Sequence, residues 1–369
     1  MVDCLVIGGG VVGLSIAYEM AARGKSVRVL DRREFGSEAS WAGAGILPPG
    51  GSKNLNHPLD QMQAASSDLH REWAARLSAE TGVDTGYREC GGVYLAGKPG
   101  EVASLLGLQG WFAERGVEMH RVTHSELREF EPALVDDPDR IRAAFLLPGE
   151  AQLRNPHHLS ALQQACRRRG VDLVPHCEVT EFEILAEQVV GVASRGQTYR
   201  ADRYCLTSGA WTHQLLEQLS ISNGILPVRG QIVLFRGDRQ LFRRVINEGP
   251  RYIVPRDDGR VLVGSTEEEV GYHKGTTDEA IAELTDLAHS LVPQLRDAQV
   301  ERTWSGLRPG SFDGFPYMGR VVPWSNVFVA AGHFRSGLFL SPAIAVAMSQ
   351  LMCGETPTID LTPFAPHRG

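Results

Sequence analysis

Apolar and polar positions follow two rhythms along this chain, and the change between them is sharpest at the start. Residues 4–7 are a short apolar run, enough for one strand buried on both faces. Residues 14–23 carry apolar side chains at helical intervals, and Gly24 follows where a C-terminal glycine would stop the helix. Residues 26–30 are a second apolar strand with Asp31 at its carboxyl end. Helical spacing then predicts helices over 61–81 (Leu69, Trp73, Leu77), 107–115, 123–131, 157–169 and 277–291, with a last one after Gly337. Strand-like runs fall at 90–96, 171–175, 178–185, 189–194, 198–200, 231–235, 251–255, 261–265 and 326–331. Residues 204–211 read as a buried strand ending in a small-residue turn.

Gly8, Gly10 and Gly13 stand between the first strand and the first helix in G-x-G-x-x-G spacing. Gly8 permits the tight turn, Gly10 lets a pyrophosphate approach the backbone, and Gly13 lets helix and strand pack closely. The helix N-terminus offers free N–H groups to the phosphates. Asp31 lies where an acid accepts from ribose hydroxyls. The glycines alone say little, since a glycine-rich turn occurs in ordinary α/β proteins. Strand, glycines, helix, strand and acid together predict a dinucleotide site. A second strand–glycine–helix unit comes late, where residues 326–331 lead through Gly332-His333-Phe334-Arg335-Ser336-Gly337 into the last helix. Its N-terminus would favour negative charge on the same cofactor, as a reduced flavin carries and a nicotinamide does not need.

Two stretches stay open on the residues alone. Arg32 and Arg33 fit an NADP phosphate or solvated surface, and Asp31 argues against the phosphate. Ala39-Ser40-Trp41-Ala42-Gly43-Ala44-Gly45-Ile46 would let backbone lie against a flat ring, or begin a close-packed helix.

Composition narrows the classes. At 369 residues the chain calls for two connected domains. A net charge of -7 leaves no footprint for nucleic acid or an anionic membrane. The six cysteines show no C-x-x-C pair, which predicts free thiols in a reducing cytoplasm. His120 and His124 lack a third ligand, while Thr123 and Glu126 fit a capping box, so no metal site is assigned. The first strand begins too early for a signal peptide, and the apolar stretch 337–352 contains Pro342 and is too short to span a bilayer.

Several blocks together resemble the D-amino acid oxidase superfamily, and within it the glycine oxidase group (ThiO type). They are V-I-G-G-G-V-V-G with Asp31, L-T-S-G-A-W, Y-I-V-P-R, G-L-R-P-G-S-F-D-G-F-P-Y-M-G and A-A-G-H-F-R-S-G, in the family's order over nearly the whole chain. The resemblance implies an α/β fold of two interleaved parts. A Rossmann-like FAD-binding domain would comprise 1–47, 140–225 and 300–369, and a mixed-sheet substrate domain 48–139 and 226–299.

It also implies non-covalent FAD. Val11 and Val12 match diphosphate-loop positions, Asp31 and Arg32 the ribose–adenine positions, and Val179 the position whose backbone meets adenine. Ala39, Ser40, Ala44, Gly45 and Ile46 match the flavin side, and Gly209 sits in the small-residue turn assigned to the cofactor. His333, Phe334, Arg335, Ser336, Gly337, Leu338 and Phe339 match the segment along the flavin ring. The flavin-tethering cysteine of sarcosine oxidases has no counterpart at 315–318.

For the substrate, the resemblance implies that Arg308 grips a carboxylate, with Tyr252 over the same pocket and Arg335 nearby. A structural alternative pairs Arg308 with Asp313 or a carbonyl. Glu267 stands where the group carries an apolar residue, and either meets a substrate amine or points to solvent.

The implied activity is oxidative deamination of glycine or a small amine or D-amino acid. Hydride leaves Cα for the flavin, the imine hydrolyses to a 2-oxo acid, and O2 becomes H2O2, in thiamine biosynthesis or in catabolism. The implied partners are thus a small amino acid and O2, in a cytoplasmic homotetramer. Other readings are a dehydrogenase of the same fold that passes electrons to a carrier, a nicotinamide enzyme, or a flavoprotein serving as a tRNA-modifying module. The absence of a basic patch opposes the last.

Overall fold

A computed structural model describes residues 1–368. A six-stranded sheet is built around Val2–Ile7, which pairs in parallel with Val27–Leu30 on one side and Ala201–Leu206 on the other. The order runs Tyr317–Arg320, Val327–Ala331, Ala201–Leu206, Val2–Ile7, Val27–Leu30, Asp172–Val174. Every pairing is parallel except the first, which is antiparallel. Strands covered on both faces must be apolar throughout, as Cys4, Leu5, Val6 and Ile7 are. The first helix, Val11–Ala22, packs on the last, Gly337–Cys353, which also carries the long helix Pro58–Thr81. Leu14, Ile16 and Met20 share one core with Leu340, Ile344 and Met348.

The second sheet has eight strands, in the order Gln299–Gly310, Leu226–Arg236, Arg260–Gly264, Arg251–Pro255, Val245–Glu248, Gly92–Ala96, Ala143–Leu147, His120–Val122. Its register aligns a row of residues directly opposite one another: Trp304, Ile232, Gly264, Tyr252, Asn247 and Tyr94. Side chains two apart on a strand share a face, so Gly230 and Val228, and Gly306 and Arg308, lie on that same side. The opposite face buries Val233, Phe235 and Val263 against Leu284, Ala288 and Leu291 of helix Asp278–Leu291.

Several expected boundaries move. Residues 143–147 were assigned to the first domain, but strand Ala143–Leu147 is bonded on both edges within the second sheet. The boundary at 300 moves likewise, because Gln299–Gly310 pairs along the whole of Leu226–Arg236. The helix expected at 107–115 spans Pro99–Glu114. Pro99 opens it, and Glu101 accepts from the N–H groups of Gly97 and Lys98, so the cap lies upstream of the glycines that blur its pattern. The strand expected from 178 begins at Glu181, and Val245–Glu248 is a strand with no predicted counterpart. Among the described residues, no helix is long and apolar enough to cross a membrane.

Candidate active site

One cavity of ≈ 640 Å³ lies between the carboxyl ends of the first sheet and the row-bearing face of the second. That volume is within the range of cofactor and small-molecule sites. Ile7, Leu30 and Ala331 line it from one sheet, and Ile232, Asn247, Tyr252 and Arg308 from the other.

At the first-sheet end, Gly8 adopts φ 111°, and a Cβ there would lie 2.6 Å from the Thr207 carbonyl. A Cβ on Gly13 would collide with the Gly8 carbonyl oxygen, so the helix sits on the strand only because 13 is glycine. Gly10 is the N-cap, and the N–H of Val11 donates to Ser40 Oγ at 2.9 Å. As first-turn groups, the N–H of Val12 and of Gly13 have no intrahelical acceptor, and Val12 lines the cavity. Asp31 accepts from Gly9 N at 2.7 Å and from Arg33 N at 2.8 Å, which fixes its carboxylate beside the loop. Burial raises its pKa, and the two backbone donors pull against that rise.

Arg32 is neither free for a phosphate nor loose in solvent. Its guanidinium lies 3.7 Å from the centre of the Trp211 ring and 3.5 Å from Glu38. Val179 and Gly209, the latter at φ 57°, line the same end. In the stretch from Ala39, Ala39–Ala42 is a short helix, and Ala44, Gly45 and Ile46 then run along the cavity. Arg256 holds that run, donating to Ala44 O at 2.7 Å and Leu153 O at 3.0 Å. It is a buried cation with no carboxylate partner among the described residues, and burial lowers its pKa to about 10.

His333 to Phe339 form the opposite wall. Phe334 takes φ 47° and donates its N–H to Pro309 O at 2.7 Å, which ties the last helix's N-terminus to the strand bearing Arg308. Burial pushes the His333 pKa down to about 3, so the imidazole is neutral.

Arg308 is the focus of the second-sheet end. Nη2 donates to Ser265 Oγ at 2.5 Å and Nη1 to Thr266 O at 3.2 Å. Asp313 is not its partner, because that carboxylate binds Arg368 at 2.8 Å. A guanidinium has five N–H donors, so Arg308 keeps several for a ligand. Burial lowers its pKa, and Tyr252 beside it offsets part of that loss. Tyr252 lies over Gly264, where a Cβ would sit 2.9 Å from the phenol oxygen. Arg335 donates to Pro250 O at 3.1 Å and stands 3.8 Å from Glu267, with both side chains partly exposed. Glu267 is outside the cavity wall, at its rim.

The sequence profile described as "FAD dependent oxidoreductase" matches residues 3–351. The chain belongs to that family. This FAD dependent oxidoreductase is 35% identical over 364 residues to a glycine oxidase of Pseudomonas putida, covering 98% of each chain. It is 31% identical to the Synechocystis "Bifunctional protein ThiO/ThiG", with 99% of this chain matching 54% of that one. The crystal structure of glycine oxidase from Geobacillus kaustophilus superposes with a TM-score of 0.94 at 30% identity, over 100% of this chain and 99% of that one.

Three side chains of the oxidoreductase's cavity escaped the sequence: Tyr94, Glu150 and Asn247. Tyr94 donates to Glu150 Oε2 at 2.6 Å and Asn247 Nδ2 to Glu150 Oε1 at 3.0 Å. They come from three separate segments with no shared spacing, and only strand register assembles them. The turn pair Pro148-Gly149 was the one local hint, just before strand Ala151–Gln152.

Proposed function

We propose that this oxidoreductase oxidises glycine or a small relative, sarcosine or a small D-amino acid, with O2 as electron acceptor. The observation that carries the reading is Arg308: a mostly buried guanidinium with no carboxylate partner among the described residues and unused donors, in the cavity that also holds the glycine loop.

The residues present fit FAD held without a covalent bond. Gly8 and Gly13 let the loop and helix close on Thr207, where any Cβ at 8 or 13 would collide, and Gly8, Gly10 and Asp31 line the cavity there. Ala44 to Ile46 and His333 to Phe339 leave two walls for a flat ring. Cys177, the one cysteine lining the cavity among the described residues, lies by Asp31, its N–H donating to Asp31 O at 2.7 Å. When bound, FAD supplies the hydride acceptor and the later reduction of O2. The helix beginning at Gly337 directs its N-terminal N–H groups and partial positive charge into the cavity and favours an anion there.

Arg308 takes the substrate carboxylate in a planar two-donor grip, and Tyr252 bounds the same site. Position and exclusion of water carry the reaction, since hydride transfer requires no side-chain base. Neutral His333 brings no competing charge beside the anion site.

The test is anaerobic mixing of the yellow protein with glycine, sarcosine, D-alanine and D-proline in turn, followed by air. Bleaching of the visible band and its recovery with peroxide are expected. No bleaching with any of the four would overturn the reading, and recovery without peroxide would make the enzyme a dehydrogenase.

A further inference from the structure

Glu150 is fully buried and pairs with no cation among the described residues. Its carboxylate lies over Gly92, where a Cβ would collide with Oε1. Each oxygen takes one hydrogen bond, from Tyr94 Oη and Asn247 Nδ2. The charged groups on the surrounding elements are engaged elsewhere. Arg244, before Val245–Glu248, binds Glu131, and Arg256, after Arg251–Pro255, binds Gln152 and two carbonyls. Glu248 binds Arg140, Arg251 binds Glu283, and Cys90 is a half-buried thiol whose pKa is raised by partial burial.

This arrangement decides the orientation of Asn247. The two ends of a carboxamide have nearly the same shape, and their partners choose between them. An ionised carboxylate only accepts, so it must face Nδ2. Oδ1 is thereby turned away from Glu150. It receives no hydrogen bond among the described residues and is not buried, on a residue that lines the cavity. Asn247 stands directly opposite Tyr252 across paired strands, so their Cβ atoms are about 5 Å apart. Tyr252 leans the other way, over Gly264 toward Arg308. A carboxylate donor site and an open carbonyl acceptor therefore face one space.

We propose that Asn247 Oδ1 is the acceptor for the substrate's amino N–H, and that Glu150 is the positioning residue that keeps this end of the amide toward the cavity. The inference rests on the proposed amino acid oxidation and adds the group that reads the nitrogen. A neutral carbonyl suits the task. It orients an N–H without the negative charge that would hold the amine protonated, and hydride leaves from the neutral amine.

Burial raises the Glu150 pKa to about 7, against the downward pull of Tyr94 and Asn247. Once protonated, Glu150 can donate to Oδ1, and the amide can turn its NH2 to the cavity. Recognition of the amine should therefore weaken as pH falls through about 7, a range in which glycine's own groups do not titrate.

The test titrates the holoenzyme anaerobically with glycine and with acetate, which keeps the carboxylate and lacks the nitrogen. Sarcosine replaces glycine if it alone reduces the flavin. Asn247→Leu should raise the apparent glycine constant about tenfold, the loss of one hydrogen bond, and leave acetate within twofold. Glu150→Gln should abolish the step near pH 7 in the glycine-to-acetate ratio. Retained flavin absorbance identifies folded variants, and Asn247→Ser serves if Asn247→Leu loses it. Equal weakening of both ligands, or of neither, would overturn the Asn247 assignment. A surviving step in Glu150→Gln would overturn the role of Glu150. Reduction of the wild type with an unchanged ratio removes this inference alone, whereas no reduction by any amino acid removes the proposed function with it.

Discussion

Arg308 lies flat over Gly230, so that a methyl group at 230 would occupy the position of the guanidinium. The two residues are on directly bonded strands, Gly230 opposite Gly306 and Arg308 opposite Val228, two positions along the same face. The glycine is thus a platform whose missing side chain leaves room for the cation.

Gly230→Ala should therefore disturb substrate binding without touching substrate. The apparent constant for the amino acid should rise about tenfold or more, the loss of a charge-assisted hydrogen bond, with flavin retained. Arg308→Lys should be as impaired as Gly230→Ala, because an ammonium cannot reproduce the planar grip. Steady-state kinetics on both variants check this. Wild-type affinity in Gly230→Ala would mean that the guanidinium can relocate freely.

At the other end, Gly13→Ala places a Cβ against Gly8 O and 2.6 Å from Thr207 Oγ1. Helix and strand must separate, at a cost of about 1–3 kcal/mol. The purified variant should lose most of its visible absorbance relative to that at 280 nm. Full flavin content would show that the loop accommodates a methyl.

Glu267 and Arg335 pair at 3.8 Å with both side chains partly exposed. Such a pair contributes about 0–1 kcal/mol. Glu267→Gln should shift the melting temperature by no more than about 2 °C and the apparent substrate constant by less than threefold. A larger kinetic effect would place the carboxylate on the substrate amine after all.

Glu150 makes stability depend on pH. Its folded pKa is about 7 against an ordinary 4.5, because burial penalises the ionised form. Between those values the folded chain binds more protons than the unfolded one, so this group's contribution falls as pH rises from 4.5 to 7. The full penalty is at most about 3 kcal/mol. Glu150→Gln should therefore melt a few degrees higher than the wild type at pH 8, and the gap should close toward pH 4.5. Thermal unfolding at several pH values measures it, and a gap independent of pH would remove the carboxyl from the account.

The fold was most legible where chemistry and local pattern coincide. Gly8 to Asp31 announced strand, loop, helix and strand because glycine spacing and apolar rhythm agree there. Arg308 and Tyr252 were legible through motifs alone, since neither period nor composition tells which face of a strand a residue takes. Glu150 and Asn247 were invisible for a physical reason. Their pairing depends on the register of strands far apart in the chain, and one residue of slip would turn Asn247 to the opposite face. The strand Ala143–Leu147 was hidden in the same way, its edges satisfied by partners at Gly92–Ala96 and His120–Val122.

The pairing of Val2–Ile7 with Ala201–Leu206, and of that strand with Val327–Ala331, bears on how the molecule is made. During synthesis strand Val2–Ile7 is made some two hundred residues before its neighbour in the sheet, Ala201–Leu206. Helix Gly337–Cys353, which covers Val11–Ala22, lies more than three hundred residues further along the chain than the helix it covers. A nascent chain must keep its nucleotide loop and an apolar helix uncovered until residues 337–353 have been made. The cofactor therefore meets a finished site only once that helix has emerged, and a supply of flavin at that moment would act on the yield of folded protein as well as on its activity.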